Sequence, residues 1–287
     1  MSDPTLLPPL TLASVPAALV PGEMRLIAAG QNAQTLPALS LPLAELVPPR
    51  LPVGAVLGPD PAGDPLFQVL AVAWAPGTGS VSAVTPPGTA ASSTPPHAAP
   101  GLWVQVLRPV SAQVEPLALS AWKRGRTLAW ITLSDKGSQG LREDLSGPLM
   151  AELAGPRLGL CLSQGFILPD DVEEIKALLV DLALRQGFDC VLTSGGTGVG
   201  PRDVTPEATL AVIEKRLPGF ERAMTALSLA KTPHAAISRA VAGALGRCLI
   251  VNMPGSRKAV AECLEAILPA MGHAVDKLQG DPADCGG

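Results

Sequence analysis

The segment 193–207, TSGGTGVGPRDVTPE, carries the residue types best suited to chemistry. Gly195, Gly196 and Gly198 let the backbone take positive φ and come close to a ligand, and Thr197 adds a hydroxyl. Successive N–H groups in such a loop can cradle a phosphate. The spacing is not that of a P-loop, which needs Lys followed by Ser or Thr, nor that of G-x-G-x-x-G. A glycine cluster after a strand also serves as a plain turn, so the glycines alone leave both readings open. Asp203 is either a turn aspartate bonded to its own backbone or a carboxylate beside a phosphate loop. The second role requires a cation between the two anions. Mg²⁺, held by one or two carboxylates plus phosphate oxygens, is the usual solution. Thr205, Pro206 and Glu207 then read as a helix start, with Thr205 as N-cap and Glu207 favoured by the dipole.

Two other segments offer similar groups. Asp170, in Pro169–Asp170–Asp171, precedes a helical pattern. With Glu173 it forms a capping-box spacing, so it reads either as an N-cap or as a partner of Asp203 around Mg²⁺. NMPGSRKA at 252–259 ends a strand at Asn252, turns at Pro254 and Gly255, and offers Ser256 as the N-cap of a last helix. It reads as a capped helix with exposed Arg257 and Lys258, or as an anion site at a helix N-terminus. Lys258 opposes the helix dipole, which favours the bound anion.

Positioning these groups requires a sheet. Apolar runs at 128–133, 190–193 and 248–252 read as strands, with a shorter one at 158–162. Helical patterns follow at about 143–154, 171–186, from 206, and at 256–268. Strands alternating with helices predict an α/β fold with a three-layer, mostly parallel sheet, whose strand ends collect ligands. Residues 1–122 have a different character. Residues 1–120 hold 21 of the 31 prolines and no cysteine. Runs at 66–73 and 102–107 read as short strands, and the Gly/Ser/Thr/Pro-rich stretch 76–100 as a long loop or disordered insertion. A smaller β-rich domain at 1–122 therefore precedes an α/β domain at 127–281. The basic cluster Lys123, Arg124 and Arg126 marks the boundary, as a solvated linker or an anion contact.

Composition narrows the class. The net charge of -4 argues against a nucleic-acid binder. No apolar run reaches the ~18 residues of a membrane span, and the first basic residue is Arg25, so a secretory signal is not expected. The expected location is cytoplasmic. Cys161, Cys190, Cys248, Cys263 and Cys285 form no C-x-x-C pair, and His97, His234 and His273 are scattered. These read as idle thiols in a reducing compartment.

The order of motifs from 127 to 281 resembles the MogA/MoaB-type molybdopterin-binding family. It runs through SDKGSQG, EDLSGP, LPDD, TSGGTGVGPRDVTPEAT, LPGFERAM, ISRAVAG, NMPGSRKA and HAVDKLQG. The resemblance implies molybdenum (or tungsten) cofactor biosynthesis: molybdopterin and Mg-ATP give adenylylated molybdopterin and pyrophosphate. It implies Asp170 and Asp203 as the catalytic, Mg²⁺-handling pair. It also implies ligand binding by Ser134, Asp135, Gly195, Gly196, Thr197, Gly198, Glu207, Ser238, Arg239, Asn252, Pro254, Gly255, Ser256 and Lys258. A homotrimer is implied, with a metal-insertion protein of the same pathway as partner. The alternative is a non-catalytic carrier or scaffold for molybdopterin. A CinA-like pyrophosphatase fits the NMPGS turn poorly. Residues 50–57 and 102–117 resemble the later strands of the β-rich MOSC domain. That family's sulfur transfer uses a cysteine, which residues 1–160 lack.

Overall fold

The computed structural model describes residues 4–29, 40–44, 50–75, 99–141 and 143–282. Most of the stretch 76–100, together with His97 and Cys285, lies outside the described residues. The chain divides into two compact units, Met1–Arg124 and Gly125–Gly287.

The first unit is a closed barrel. Its strands are β1 (Thr5–Leu12), β2 (Met24–Ala29), β3 (Ser40–Leu43), β4 (Val56–Gly58), β5 (Phe67–Ala75), β6 (Ala99–Val106) and β7 (Leu117–Lys123). Their order is β1-β3-β2-β6-β5-β4-β7, and antiparallel pairing of β1 with β7 closes the ring. Alternate residues such as Leu10 and Leu12, Leu102 and Val104, and Phe67 and Val69 build one apolar core. This is the period-two pattern of a strand with one face inward. Closure removes the exposed edges that would otherwise pair with other chains.

The second unit contains β8 (Arg126–Leu133), α1 (Asp135–Ser138), α2 (Ser146–Leu158), β9 (Leu160–Leu168), α3 (Val172–Val180), β10 (Cys190–Ser194), α4 (Thr205–Leu210), β11 (Lys215–Arg216), α5 (Pro218–Leu229), β12 (Ala242–Leu245), β13 (Cys248–Met253) and α6 (Arg257–Gln279). The sheet order is β11-β12-β13-β10-β8-β9. Pairing is parallel from β13 through β10 and β8 to β9, and antiparallel at β12–β13 and β11–β12. The sheet is therefore mixed, and the expectation of a mostly parallel sheet fails at one edge. The reason is local: Gly246, at φ 57, turns β12 directly back into β13, and so short a connection can join only antiparallel strands.

Leu128, Leu192, Leu249 and Val251 share a core with Met150 of α2, Met224 of α5, and Val260, Leu264 and Met271 of α6. On the intervening residues, the Asn252 amide donates to Thr193 Oγ1 at 3.0 Å and to Thr209 Oγ1 of α4 at 2.9 Å. Each fully buried aliphatic side chain contributes about 1.5–3 kcal/mol. That gain carries α6 past Pro269, where the sequence pattern ends the helix, because Met271 and Val275 remain buried. The helical pattern 171–186 runs as α3 and then a π-helical turn, Asp181–Gln186, stopped by Gly187 at φ 72. The strand at 158–162 is longer and starts later, because Leu158 still belongs to α2.

Arg126 is not a solvated linker residue: the anion it contacts belongs to the protein itself. Its guanidinium pairs with Asp276 of α6 at 2.6 Å and donates to Leu158 O at 2.7 Å. No described helix is long and apolar enough to cross a membrane.

A buried carboxylate joins the ends of this unit. Asp189, 5% exposed, accepts from Thr127 N (2.7 Å), Thr127 Oγ1 (2.9 Å) and Gln279 Nε2 (2.9 Å). Asp189→Ala strands these donors and is expected to cost about 2–3 kcal/mol. Urea unfolding followed by helical circular dichroism checks this, since every described helix lies in the second unit.

Candidate active site

Because β8, β9, β10 and β13 run parallel, the segments that follow them emerge at one edge of the sheet. These segments hold Ser134 and Asp135, Pro169–Asp171, the glycine loop, and Pro254–Ser256. Ser134 caps α1 by accepting from Gly137 N at 3.1 Å. Ser256 caps α6 by accepting from Ala259 N.

Asp170 is not the cap of α3. That role falls to Asp171, whose carboxylate accepts from Glu173 N and Glu174 N at 3.0 Å. Asp170 is thereby left for other work. Its Oδ1 is buried without a hydrogen-bond partner. It lies against the glycine loop, so close that a Cβ on Gly196 would sit 3.0 Å from it. Its backbone N–H donates to Asp135 Oδ1 at 3.1 Å. Asp135 in turn holds Arg202 at 2.7 Å. The Arg202 hydrogen bond keeps the Asp135 carboxyl below its ordinary pKa. Asp170 shifts the other way: burial raises its pKa, and the Asp135 and Asp203 carboxylates add to the rise against the pull of Arg202.

The loop itself is tied internally. Gly195 (φ 108) and Gly196 (φ 61) occupy backbone conformations that L side chains rarely adopt. Thr205 is the first residue of α4 rather than its cap, and its hydroxyl donates to Gly195 O at 2.9 Å. Asp203 accepts from Gly200 N at 2.7 Å, which satisfies the turn reading while its carboxylate stays beside the glycines. Arg239 donates to Gly198 O (2.7 Å) and Asp203 O (2.6 Å) and pairs with Glu207. Arg239 and Glu207 thus clamp the loop.

Two cavities meet at Gly255 and Ser256, which line both. The larger, about 470 Å³, is lined by Gly195, Gly196, Thr197, Gly198, Asp203, Ser238 and Pro254 among others. The smaller, about 330 Å³, presents Ser134, Asp144, Ser146, Ser194 and Arg257. Lys258 is exposed in the first turn of α6 and lines neither. Asn252 is fully buried beneath the turn, and its Oδ1 has no partner.

Sequence reasoning did not single out Asp144, Ser194, Arg202 or Arg257 as site residues. Asp144 accepts from Thr132 Oγ1, Ser146 N and Gly147 N, which fixes the start of α2. The EDLSGP string contains it, and an acid two residues before a helix start was the available signal. Arg202 gave none, because its partner Asp135 lies 67 positions away.

The residues fit a divalent cation. A buried carboxylate oxygen lacks a donor, and further carboxylates surround it. Among the described residues no group of three or more His, Cys, Asp or Glu could hold a metal alone. Mg²⁺ carried on phosphate oxygens needs only one or two protein carboxylates.

A glycine loop, a capped helix N-terminus and acidic groups at one edge of an α/β sheet are features with which such folds hold phosphorylated small molecules. Residues 129–273 match the model of the probable molybdopterin binding domain, and the chain belongs to that family. The molybdopterin adenylyltransferase of Helicobacter pylori strain J99 is 40% identical over 152 residues, covering 53% of this chain and 86% of that protein. The molybdenum cofactor synthesis protein cinnamon of Drosophila melanogaster is 39% identical over 155 residues, but the match spans only 26% of its length. Among solved structures, the molybdopterin biosynthesis enzyme MoaB of Thermus thermophilus superimposes with a TM-score of 0.50 at 41% identity, covering 55% of this chain and 99% of that one. A MogA structure gives 0.51 at 33% identity, covering 53% and 99%. The barrel lies outside the residues that the family model matches, and with it the segments that resemble a MOSC domain.

The raised pKa of Asp170 makes a stability prediction. An acid whose folded pKa exceeds the unfolded value, about 3.9, stabilises below that value and loses the contribution as pH rises through the folded one. Asp170→Asn is therefore expected to raise the thermal midpoint of the second unit by roughly 1–3 °C at pH ~7. The difference is expected to vanish below about pH 4. Calorimetry at both pH values measures it.

Proposed function

We propose that the second unit is a molybdopterin adenylyltransferase acting in molybdenum cofactor biosynthesis. The observation that carries this reading is the unpartnered, buried Asp170 oxygen beside Gly196, with Asp203 near it. The names of relatives such as the Helicobacter pylori enzyme support the substrate and the transfer. In the reaction, an oxygen of the pterin phosphate bonds to the α-phosphorus of ATP. The bond from that phosphorus to the α–β bridging oxygen breaks, and pyrophosphate leaves with the electron pair. No carbon acid or amine is activated, so positioning and charge neutralisation supply most of the acceleration.

Two cavities joined at Gly255 and Ser256 suit two substrates that must meet in line. Asp170 and Asp203 would hold Mg²⁺, which neutralises triphosphate charge when bound. The glycine loop lets backbone approach a phosphate, and the N-terminus of α6 favours an anion at Ser256. Arg239 and Glu207 keep the loop in shape, and Asn252 fixes the strand end beneath it. Arg257 adds a cation to the smaller cavity. Exposed Leu210 and Leu229, beside a groove of about 670 Å³, support self-association as a homo-oligomer.

The test is a single-turnover reaction of the purified chain with molybdopterin, ATP and Mg²⁺, analysed by chromatography. Adenylylated molybdopterin and pyrophosphate are expected in equal amounts, and chelation of Mg²⁺ abolishes both. Asp203→Asn and Asp170→Asn are each expected to slow the step by about 100-fold or more. Full activity in Asp203→Asn removes that residue from the mechanism. Saturable pterin binding without product makes the unit a carrier.

A further inference from the structure

The larger cavity carries an acid on its helical wall as well as Asp203 at its glycine loop. Along α6 and its cap, Ser256, Ala259, Glu262 and Cys263 recur at helical spacing and line one side. On α5, Met224, Thr225 and Ser228 line the other, and the short helix Pro233–Ile237 adds His234 and Ile237. Most of this lining is apolar or neutral. Burial pushes the Cys263 thiol up to about 11, so at neutral pH it is an uncharged wall. Apart from Asp203 of the glycine loop, Glu262 is the acid in this lining, and it is only 9% exposed. Its counter-ion is loosely placed. Lys231 Nζ lies 3.7 Å from Glu262 and closer, 3.3 Å, to the exposed Glu265. A carboxylate in a cavity wall with its counter-ion at this distance retains acceptor capacity for donors that a ligand brings.

We propose that Glu262 is the specificity residue of this cavity, accepting the paired donors on the 2-amino-4-oxopyrimidine edge of a pterin. This rests on the molybdopterin reading above. On that edge, N3–H and the 2-amino group point the same way, side by side, as the two oxygens of a carboxylate require. Charge-assisted, two-point contacts of this kind are strong and directional. Adenine offers a carboxylate one amino donor next to the N1 lone pair, which repels it. Glu262 therefore selects the pterin for the apolar slot and leaves the nucleotide to the hydroxyl-lined cavity across Gly255. Sites built to bond a substrate N–H discriminate strongly against analogues that lack it.

The experiment is equilibrium binding to the full chain. Wild type is expected to bind molybdopterin, and Glu262→Gln to weaken it by about 10–100-fold while leaving the Kd for AMP unchanged. Unchanged AMP binding also reports that the variant is folded. A second arm needs no variant: 6-hydroxymethylpterin is expected to bind wild type at least ~10-fold more tightly than its 2,4-dioxo counterpart. Equal binding of those two, or a Glu262→Gln variant with wild-type affinity for molybdopterin, overturns the assignment of Glu262 and leaves the pterin reading standing. A wild-type chain that binds AMP but no pterin overturns the functional reading itself, and the inference with it.

Discussion

The candidate site depends on how the glycine loop is held. A run with Gly195, Gly196, Gly198 and Gly200 has much conformational freedom to lose, and ordering it is correspondingly unfavourable. Arg239 offsets this with donors to two carbonyls of the loop and an ion pair to Glu207 at the start of α4. Thr205 closes the near end through its hydroxyl, and Asp203 holds Gly200. The planar, multi-donor guanidinium suits this task, because one side chain can satisfy several acceptors without water. Every other feature of the site is placed against this loop. Asp170 faces Gly196, and Gly255 approaches Gly195 so closely that an added Cβ would lie 3.4 Å from its Cα.

Electrostatics set a tension in the same place. Asp135 is stabilised as an anion by Arg202, whereas Asp170, a hydrogen bond away, is pushed towards its neutral form by burial and by its acidic neighbours. Two carboxylates with opposite shifts are linked through one backbone N–H. Such an arrangement opposes folding stability and favours a bound cation, the usual conflict at sites that retain unfavourable groups for function. Arg202 partly relieves it and stands beside Asp203 in the chain, so the cation that steadies the resting site lies next to the acids that would hold Mg²⁺.

The two units solve their cores by different means. The barrel closes a sheet on itself, while the second unit packs helices on its sheet and leaves parallel strand ends open. Only the open edge supplies helix N-termini and loops at one level, which is why the candidate site belongs to that unit.

Sequence by itself determined the alternation of strands and helices after residue 127, the glycine loop, Ser256 as a cap and the family. Each depends on local pattern: apolar period, turn chemistry, or motifs in order. It left Asp170 undecided between cap and ligand, because its capping-box spacing with Glu173 suits either role. Only the folded chain assigned the cap to Asp171 and buried an oxygen of Asp170. Tertiary structure also decided the antiparallel edge of the sheet, the pairing of Asp135 with Arg202, the loop clamp by Arg239 and the place of Glu262 in a cavity wall. These are contacts between residues far apart in the chain, and their energy comes from burial and geometry that no local window contains.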